Sequence, residues 1–556
     1  MDGPSKRSSA AAPTLSRSQQ LIALAQHKTL HIALLSALLM WSALPPLELG
    51  FLGWIAAAPL VWLARLPQLP GRRPYGALWL AGFVFWSVTL YWLCLPHPLT
   101  SIGWFALSFY LAFYTPLIVG LTRAARKHLR LSVVVAAPLV WVAADQARAW
   151  LWSGFSMACL AHSQYRNVTF VQCADLCGEF GLTLAMVAVG AAVARTWPTP
   201  DESFVAVRAL RWIVVGAAII GAVWGYGFAK LRESPQDAKH LQVALIQGSI
   251  ASEVKHNPDK LDVVYRHYLE LSQQAVASHP QVELIVWPET MFPYLWGEVS
   301  DDAQPKPGIT WEVHPRQTAA FFRDRAAETV INLRRPTLLG IPVAEIGNQT
   351  WTSFNSALYF TADGRMRGRY DKQHRVMFGE YIPLAEYMPW LYEITPLTGG
   401  IVSGAASQSF QLGEIHLSPN ICYETALARV IRRQVGELTA AGNEPDLLVN
   451  LTNDSWFRGS SELDLHLACG VFRAVECRKP LVIAANTGFS AYIDADGRIV
   501  AQSQRGAAEA LVVDVQCRGG GGSLYLLVGD WLCNLAVAAA GLFAALGLWN
   551  RRLVGE

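Results

Sequence analysis

The chain has 556 residues and a formal net charge of +3, with 52% apolar and 16% charged residues. That is well below the charged fraction of about 25% usual in a soluble globular domain, so a wholly soluble protein is excluded as the simplest reading, and the near-neutral balance gives no footing for nucleic-acid binding. Nine cysteines show no CxxC pair and no metal-ligand spacing, which excludes a disulfide framework.

In chain order, residues 1–28 are Ser/Ala-rich and polar, with Lys6, Arg7, Arg17 and Lys28, and are expected to be a disordered cytoplasmic tail. Apolar stretches then run over 29–46, 51–65, 74–95, 102–122, 131–151, 177–195 and 211–229, with one more over 524–549. A spanning helix needs about 20 largely apolar residues. The composition therefore predicts a multi-span α-helical membrane domain of about eight helices, seven within 29–230 and a last one within 524–550. The stretch at 51–65 is short and also fits a re-entrant segment. Trp is frequent, with 21 in the chain, which suits a membrane boundary where the ring is apolar and the N–H wet.

Short-loop cations set the expected orientation. Arg65, Arg72 and Arg73 follow the second stretch, and Arg123, Arg126, Lys127 and Arg130 follow the fourth. Arg195, Arg208 and Arg211 lie between the sixth and seventh, and Arg551 and Arg552 close the last. The alternate loops near Pro45–Gly50 and Pro96–Gly103 have no Lys or Arg. Both termini are thus expected in the cytoplasm and residues 230–522 on the opposite face, the periplasm in a bacterial inner membrane. Asp145, Gln146 and Arg148 fall inside the fifth stretch, where unpaired charge is costly; they read as a structural ion pair between helices or as a polar floor beneath a lipid headgroup. Cys173 and Cys177 read as two structural thiols, with pairing in an oxidising compartment as the alternative.

From about 240 to 516 the pattern changes to short buried strands (Leu241–Gln247, Glu283–Trp287, His416–Cys422, Asp446–Asn450, Leu481–Ala485) alternating with helical segments such as Asp262–Ser278, which predicts an α/β domain. Gly519–Gly522 reads as a flexible connector into the last helix.

Three motifs end or follow these strands: Val286-Trp287-Pro288-Glu289-Thr290; Tyr370-Asp371-Lys372 followed by Phe378-Gly379-Glu380-Tyr381; and Asn420-Ile421-Cys422-Tyr423-Glu424. Singly, each has a plain reading: a turn carboxylate, a surface lysine, a core cysteine. Together they form an acyl-transfer set. A thiol needs a base or cation beside it to become a nucleophile. Glu289 would take its proton, in surroundings where Trp287, Pro288 and Phe292 would desolvate the carboxylate and favour its protonated form. Lys372 and a backbone N–H near Cys422 would hold the oxyanion, and Glu380 and Glu424 would steady the lysine and the base. No histidine, metal or cofactor is called for. Apolar loops around Met291–Trp296, Pro389–Tyr392 and Trp456–Phe457 put Phe292, Trp296, Trp390 and Trp456 forward as a lipid-facing rim; packing against the domain's own core is the alternative.

These motifs resemble the nitrilase, or carbon–nitrogen hydrolase, superfamily, whose members carry a Glu-Lys-Cys triad on an αββα sandwich. More narrowly, the chain resembles the apolipoprotein N-acyltransferase family over nearly its whole length. Trp287-Pro288-Glu289, Lys372 with Glu380 in Phe-Gly-Glu-Tyr-Ile-Pro, Cys422-Tyr423-Glu424, Asn450–Phe457 and Asn486–Ala491 occur in that family's order. The resemblance implies Glu289 as general base, Lys372 as oxyanion partner and Cys422 as nucleophile, with Glu380, Tyr423 and Glu424 in supporting positions. It also implies a phospholipid acyl donor, typically phosphatidylethanolamine, and a diacylated apolipoprotein acceptor. Met377 and His256 depart from the family pattern, which often has Pro and Trp there. Two other readings stand beside it: a membrane-tethered amidase or nitrilase that uses water, and a lipid-binding protein with a relic catalytic domain.

Overall fold

The computed structural model describes residues 28–233, 238–305, 313–385, 387–393, 400–517 and 522–554. The expected N-terminal tail up to residue 27 and most of the glycine connector lie outside them.

Each expected apolar stretch contains a helix: α1 (Lys28–Ala43), α2 (Ala58–Arg65), α3 (Pro74–Thr89), α4 (Thr100–Ala112), α5 (Tyr114–Leu129), α6 (Val133–Trp150), α7 (Glu179–Thr196) and α8 (Ala206–Lys230). Among the described residues, four runs qualify by length and apolar composition to cross a membrane: Thr100–Leu129, Glu179–Thr196, Ala206–Lys230 and Trp531–Trp549. The reason for the shortfall from eight is partly length. With 16 residues each, α1 and α3 reach about 24 Å, short of a hydrocarbon core of about 30 Å. In α8, Val207, Leu210, Ile213, Val214 and Trp224 point outward, as an apolar helix does when its surroundings are apolar. The last expected stretch is divided: a one-turn helix, Leu524–Val528, stops at Gly529, whose φ of +69° breaks the helix before the long one begins.

In α6, Arg148 pairs with Asp145 at 2.9 Å and donates to the carbonyls of Phe155 and Met157. The pair closes within α6, one turn apart, rather than between two helices. Cys173 and Cys177 are free thiols.

The remainder is built on two sheets. The first has the order β13-β1-β2-β4-β5-β6, with β3 also paired to β4; the second runs β12-β11-β10-β9-β8-β7. Their strands are β1 (Lys239–Gln247), β2 (Leu284–Val286), β3 (Trp296–Gln304), β4 (Thr337–Asn348), β5 (Trp351–Phe360), β6 (Met366–Asp371), β7 (Phe410–Leu412), β8 (Ile415–Ile421), β9 (Leu447–Thr452), β10 (Leu481–Ala485), β11 (Ala491–Ile493), β12 (Ile499–Gln502) and β13 (Glu509–Cys517). Because strand side chains alternate in direction, each sheet has two apolar faces to cover. The inner faces meet through Val243, Leu245 and Val286 on one side and Leu417, Leu451 and Ala484 on the other. On the outer face of the first sheet, Ala244, Ile246 and Ile285 pack under α9 (Leu261–Ser278) and α10 (Pro315–Leu333). This is an αββα sandwich, with α11 (Ala428–Ala440) and α12 (Glu462–Cys477) on the outer face of the second sheet.

That second helical layer is shared. Every residue of α12 is buried, because its far side packs into one apolar cluster with the N-terminal helices. The seam also holds charge: Arg473 of α12 donates to Glu179 at the start of α7 and to Glu476, each at 2.9 Å, and Glu476 accepts the backbone N–H of Glu179. His162 contacts the same Glu179 carboxylate. Buried charges endure only when paired in this way. The chain ends in α13 (Trp531–Val554), which returns to the helical bundle.

Candidate active site

Strand β2 stops at Val286, and the chain turns at Pro288-Glu289-Thr290 at the strand's carboxyl end, where parallel sheets gather chemistry. The turn lies directly on β4. A Cβ at Gly340 would collide with the Pro288 carbonyl and the Glu289 backbone, so that position admits only glycine. Trp287 points away from the site, its indole N–H bonded to Ser272 of α9 at 2.9 Å. The expected desolvation of Glu289 by Trp287 and Phe292 is therefore corrected: those side chains leave on the opposite face. The Glu289 carboxylate, 7% exposed, instead meets polar partners. Asn355 of β5 donates to its Oε1 at 2.6 Å, and the backbone N–H of Asn453 donates to Oε2 at 3.0 Å.

Lys372 follows β6 and is 1% exposed. Its Nζ lies 2.7 Å from Glu380 Oε1 and 3.3 Å from Glu289 Oε1. Burial works against the ammonium, but these two carboxylates outweigh it and hold its pKa well above the ordinary lysine value. Glu380 is anchored in turn by the backbone N–H of Val376 at 2.8 Å.

Cys422 follows β8 directly and lies in the left-handed region, with φ +53°, a strained state that turns the chain out of the strand and persists only where the surroundings impose it. Here they do. Its carbonyl accepts from Asn450 Nδ2 at 3.2 Å and from His466 Nε2 at 3.1 Å. Burial first, then the charge of Glu289, push the Cys422 thiol well above its ordinary range, and Lys372 opposes them. Glu289 and Lys372 both bear on the charge of this thiol.

Among the described residues Glu424 makes no hydrogen bond or ion pair with Lys372, although the two charges act on each other. Its buried carboxylate accepts from the backbone N–H groups of Ile421, Gln373 and His374 at 2.7, 2.7 and 2.9 Å and from the Tyr370 hydroxyl at 2.9 Å. It thus ties the loop after Lys372 to the turn at Cys422. Glu424→Gln turns one of these acceptors into a donor facing N–H groups. The expected result is a loss of about 2–3 kcal/mol in stability and a rate reduction of ten- to a hundredfold, read by thermal unfolding and by acyl-transfer assay. Wild-type values for both would remove Glu424 from this role. The half-buried Tyr423 reaches the other way, its hydroxyl donating to the Gly154 carbonyl in the helical half at 3.2 Å.

The aromatic rim divides. Phe292 and Trp296 are buried in the core beside Tyr265 and Phe360, so neither faces lipid; β3 and the turn before it carry them beneath α9 and α10. Trp390 and Trp456 stay exposed at 52% and 38%. Sequence reading passed over Asn355, Lys255 and His466. A single Asn within the apolar run of β5 is the one local signal for Asn355; the others carry none.

Two groups of described residues bring possible metal-ligating atoms together: Cys159, His162 and Glu179, and Asp454, Glu462 and His466. Both are engaged internally, the first with Arg473 and the second with the Cys422 carbonyl.

Comparison with known proteins follows this division of the chain. Residues 242–520 match the carbon-nitrogen hydrolase family and residues 36–192 match the apolipoprotein N-acyltransferase N-terminal domain. An apolipoprotein N-acyltransferase of Geobacter metallireducens is 31% identical over 94% of this chain and 96% of its own length. One from Rhodopirellula baltica is 28% identical over 90% and 94%. Among solved structures, a carbon-nitrogen hydrolase from Helicobacter pylori is 14% identical over 50% of this chain and 89% of its own, with a TM-score of 0.35. Sandwich and match together put the catalytic half in the carbon–nitrogen hydrolase class. With the N-terminal match and the full-length relatives, the chain belongs to the apolipoprotein N-acyltransferase family. It is an acyltransferase enzyme.

Proposed function

We propose that the protein moves an acyl chain from a phospholipid, phosphatidylethanolamine by preference, through a thioester on Cys422 to the α-amino group of an S-diacylglyceryl-cysteine apolipoprotein. The observation that carries this reading is the clasp of Lys372 between Glu289 and Glu380 beside a strained cysteine turn, in a domain packed onto apolar helices.

Cys422 Sγ attacks the donor ester carbonyl while Glu289 takes the thiol proton. The developing oxyanion is held by Lys372 and by a backbone N–H of the Cys422 turn. Collapse breaks the ester C–O bond. The departing alkoxide takes the proton from Glu289 and leaves as a lysophospholipid. The amine of the acceptor then attacks the thioester, its proton passes to Glu289, and the Cys422 thiolate leaves and is reprotonated. Exchange of an ester for an amide drives the sequence forward, and exclusion of water protects the intermediate.

The loop cations support both termini in the cytoplasm, with eight helical segments in or against a bacterial inner membrane and residues 240–516 in the periplasm. Trp390 and Trp456 are the parts of the rim that would meet lipid.

Mass spectrometry tests the reading. Purified protein incubated with phosphatidylethanolamine should gain one acyl mass on Cys422 and lose it on addition of a diacylated lipopeptide, which gains the same mass. No acyl mass on Cys422 would sink the lipid-donor reading. Rapid release of free fatty acid without lipopeptide would favour water as acceptor.

A further inference from the structure

The site holds a second cation that the triad does not use. Lys255 ends a one-turn helix, Ser252–Lys255, in the loop after β1. It is half-buried, and its Nζ donates to the Thr290 hydroxyl. Thr290 is the residue after Glu289 and, at φ +53°, is itself in the left-handed region, so the turn that presents the base also seats this ammonium. Lys372 is paired with two carboxylates and keeps one donor for the oxyanion. Lys255 has no carboxylate within ion-pair distance among the described residues, and the Thr290 hydroxyl is its single hydrogen-bond partner there. An ammonium has three donors, so two remain for a ligand. Burial lowers it to about 8, and the charges of Glu289 and Cys422 pull it back up, which places it in the field of the reacting groups. The next residue, His256, lies against Trp456 at 4.9 Å between ring centroids, on the exposed side.

We infer that Lys255 binds the phosphodiester anion of the acyl donor, and so sets the enzyme's preference for phosphate-bearing lipids over neutral esters. The inference rests on the thioester reading above. A donor whose ester carbonyl sits between Cys422 and Lys372 carries its phosphate a short glycerol backbone away. The turn beside Glu289 offers a cation with no carboxylate partner among the described residues, within the electrostatic reach of Glu289 and Cys422, and the next residue carries an aromatic contact suited to a headgroup. Lys255 is here a specificity-determining residue, acting on the substrate's anion and taking no part in proton transfer.

The test compares two donors of one acyl chain, phosphatidylethanolamine and the p-nitrophenyl ester, by the rate of acyl gain on Cys422 in the full-length protein. In Lys255→Met the ratio of phospholipid to ester loading should fall at least about tenfold, the worth of a charge-assisted hydrogen bond, and Lys255→Arg should restore most of it. Equal loss with both donors, or no loss with either, overturns the inference. Wild-type protein that loads from the ester and from no phospholipid overturns both this inference and the donor reading beneath it. A measurement on the wild type needs no variant to fold. A diether phospholipid, which cannot be cleaved, should block ester loading at a lower concentration than the matching diether glycerol, and equal inhibition overturns the inference.

Discussion

Replacing Cys422 by alanine should abolish the acyl-enzyme and lower N-acylation of a diacylated lipopeptide by at least about four orders of magnitude, the usual consequence of losing a covalent nucleophile. The protein should stay folded. Cys422 is half-buried, its carbonyl contacts to Asn450 and His466 are made by the backbone, and alanine has the same Cβ demand at φ +53°. Unfolding temperature should change little, within about 1 kcal/mol of stability. Cys422→Ser is the sharper version. It keeps a hydroxyl in the same place, but that hydroxyl is harder to deprotonate, and an ester on serine yields less readily to an amine than a thioester. Substantial N-acylation by the serine variant would remove Cys422 from the nucleophile's role.

Lys372→Met should damage both activity and stability, for one electrostatic reason. In the native site the Lys372 charge is shared by Glu289 and Glu380 at 3.3 and 2.7 Å. Methionine fills the space and removes the charge, leaving two carboxylates facing each other in a buried setting. Breaking a buried pair from one side costs about 3–5 kcal/mol, so a clear drop in unfolding temperature is expected. The carboxylates can recover part of this by taking up a proton, which disables Glu289 as a base. Loss of the base and the oxyanion partner together should reduce the acylation rate by about three orders of magnitude or more. The double variant Lys372→Met/Glu380→Gln separates the two effects: stability should recover while activity stays low. If Lys372→Met unfolds like the wild type, the clasp is not the source of order in this site.

Much of the site was legible because its chemistry is local. Glu289 follows a strand through a proline, Cys422 ends a strand, and Lys372 precedes Glu380 by eight residues; each motif sits where an α/β fold concentrates function. The strands from Leu241 to Gln247 and Leu481 to Ala485 were legible because buried strands are continuous apolar runs. Others were not. β4 and β5 form a long antiparallel pair whose outer ends, near Glu345 and Trp351, are polar or exposed, so their apolar pattern is diluted. The helix α12 looks amphipathic but is buried all round, since the partner for its second face lies some 300 residues earlier in the chain, in the seam around Glu179.

The aromatic residues mark the boundary between what each level decides. Sequence alone determined that the chain has an apolar helical half and an α/β half, and it brought forward Glu289, Lys372 and Cys422 as a chemically coherent set. Residue type and periodicity are enough for that. It could not tell which of Phe292, Trp296, Trp390 and Trp456 are covered, because exposure depends on what packs above a side chain. Tertiary structure decided it, burying the first two under α9 and α10 and leaving the others open. It also decided how the Glu289 carboxylate is held, by Asn355, Lys372 and the Asn453 backbone, and it placed Lys255 beside Thr290. These are contacts between residues far apart in the chain, with their distances set by the packing of two sheets, and no spacing in a linear sequence encodes them.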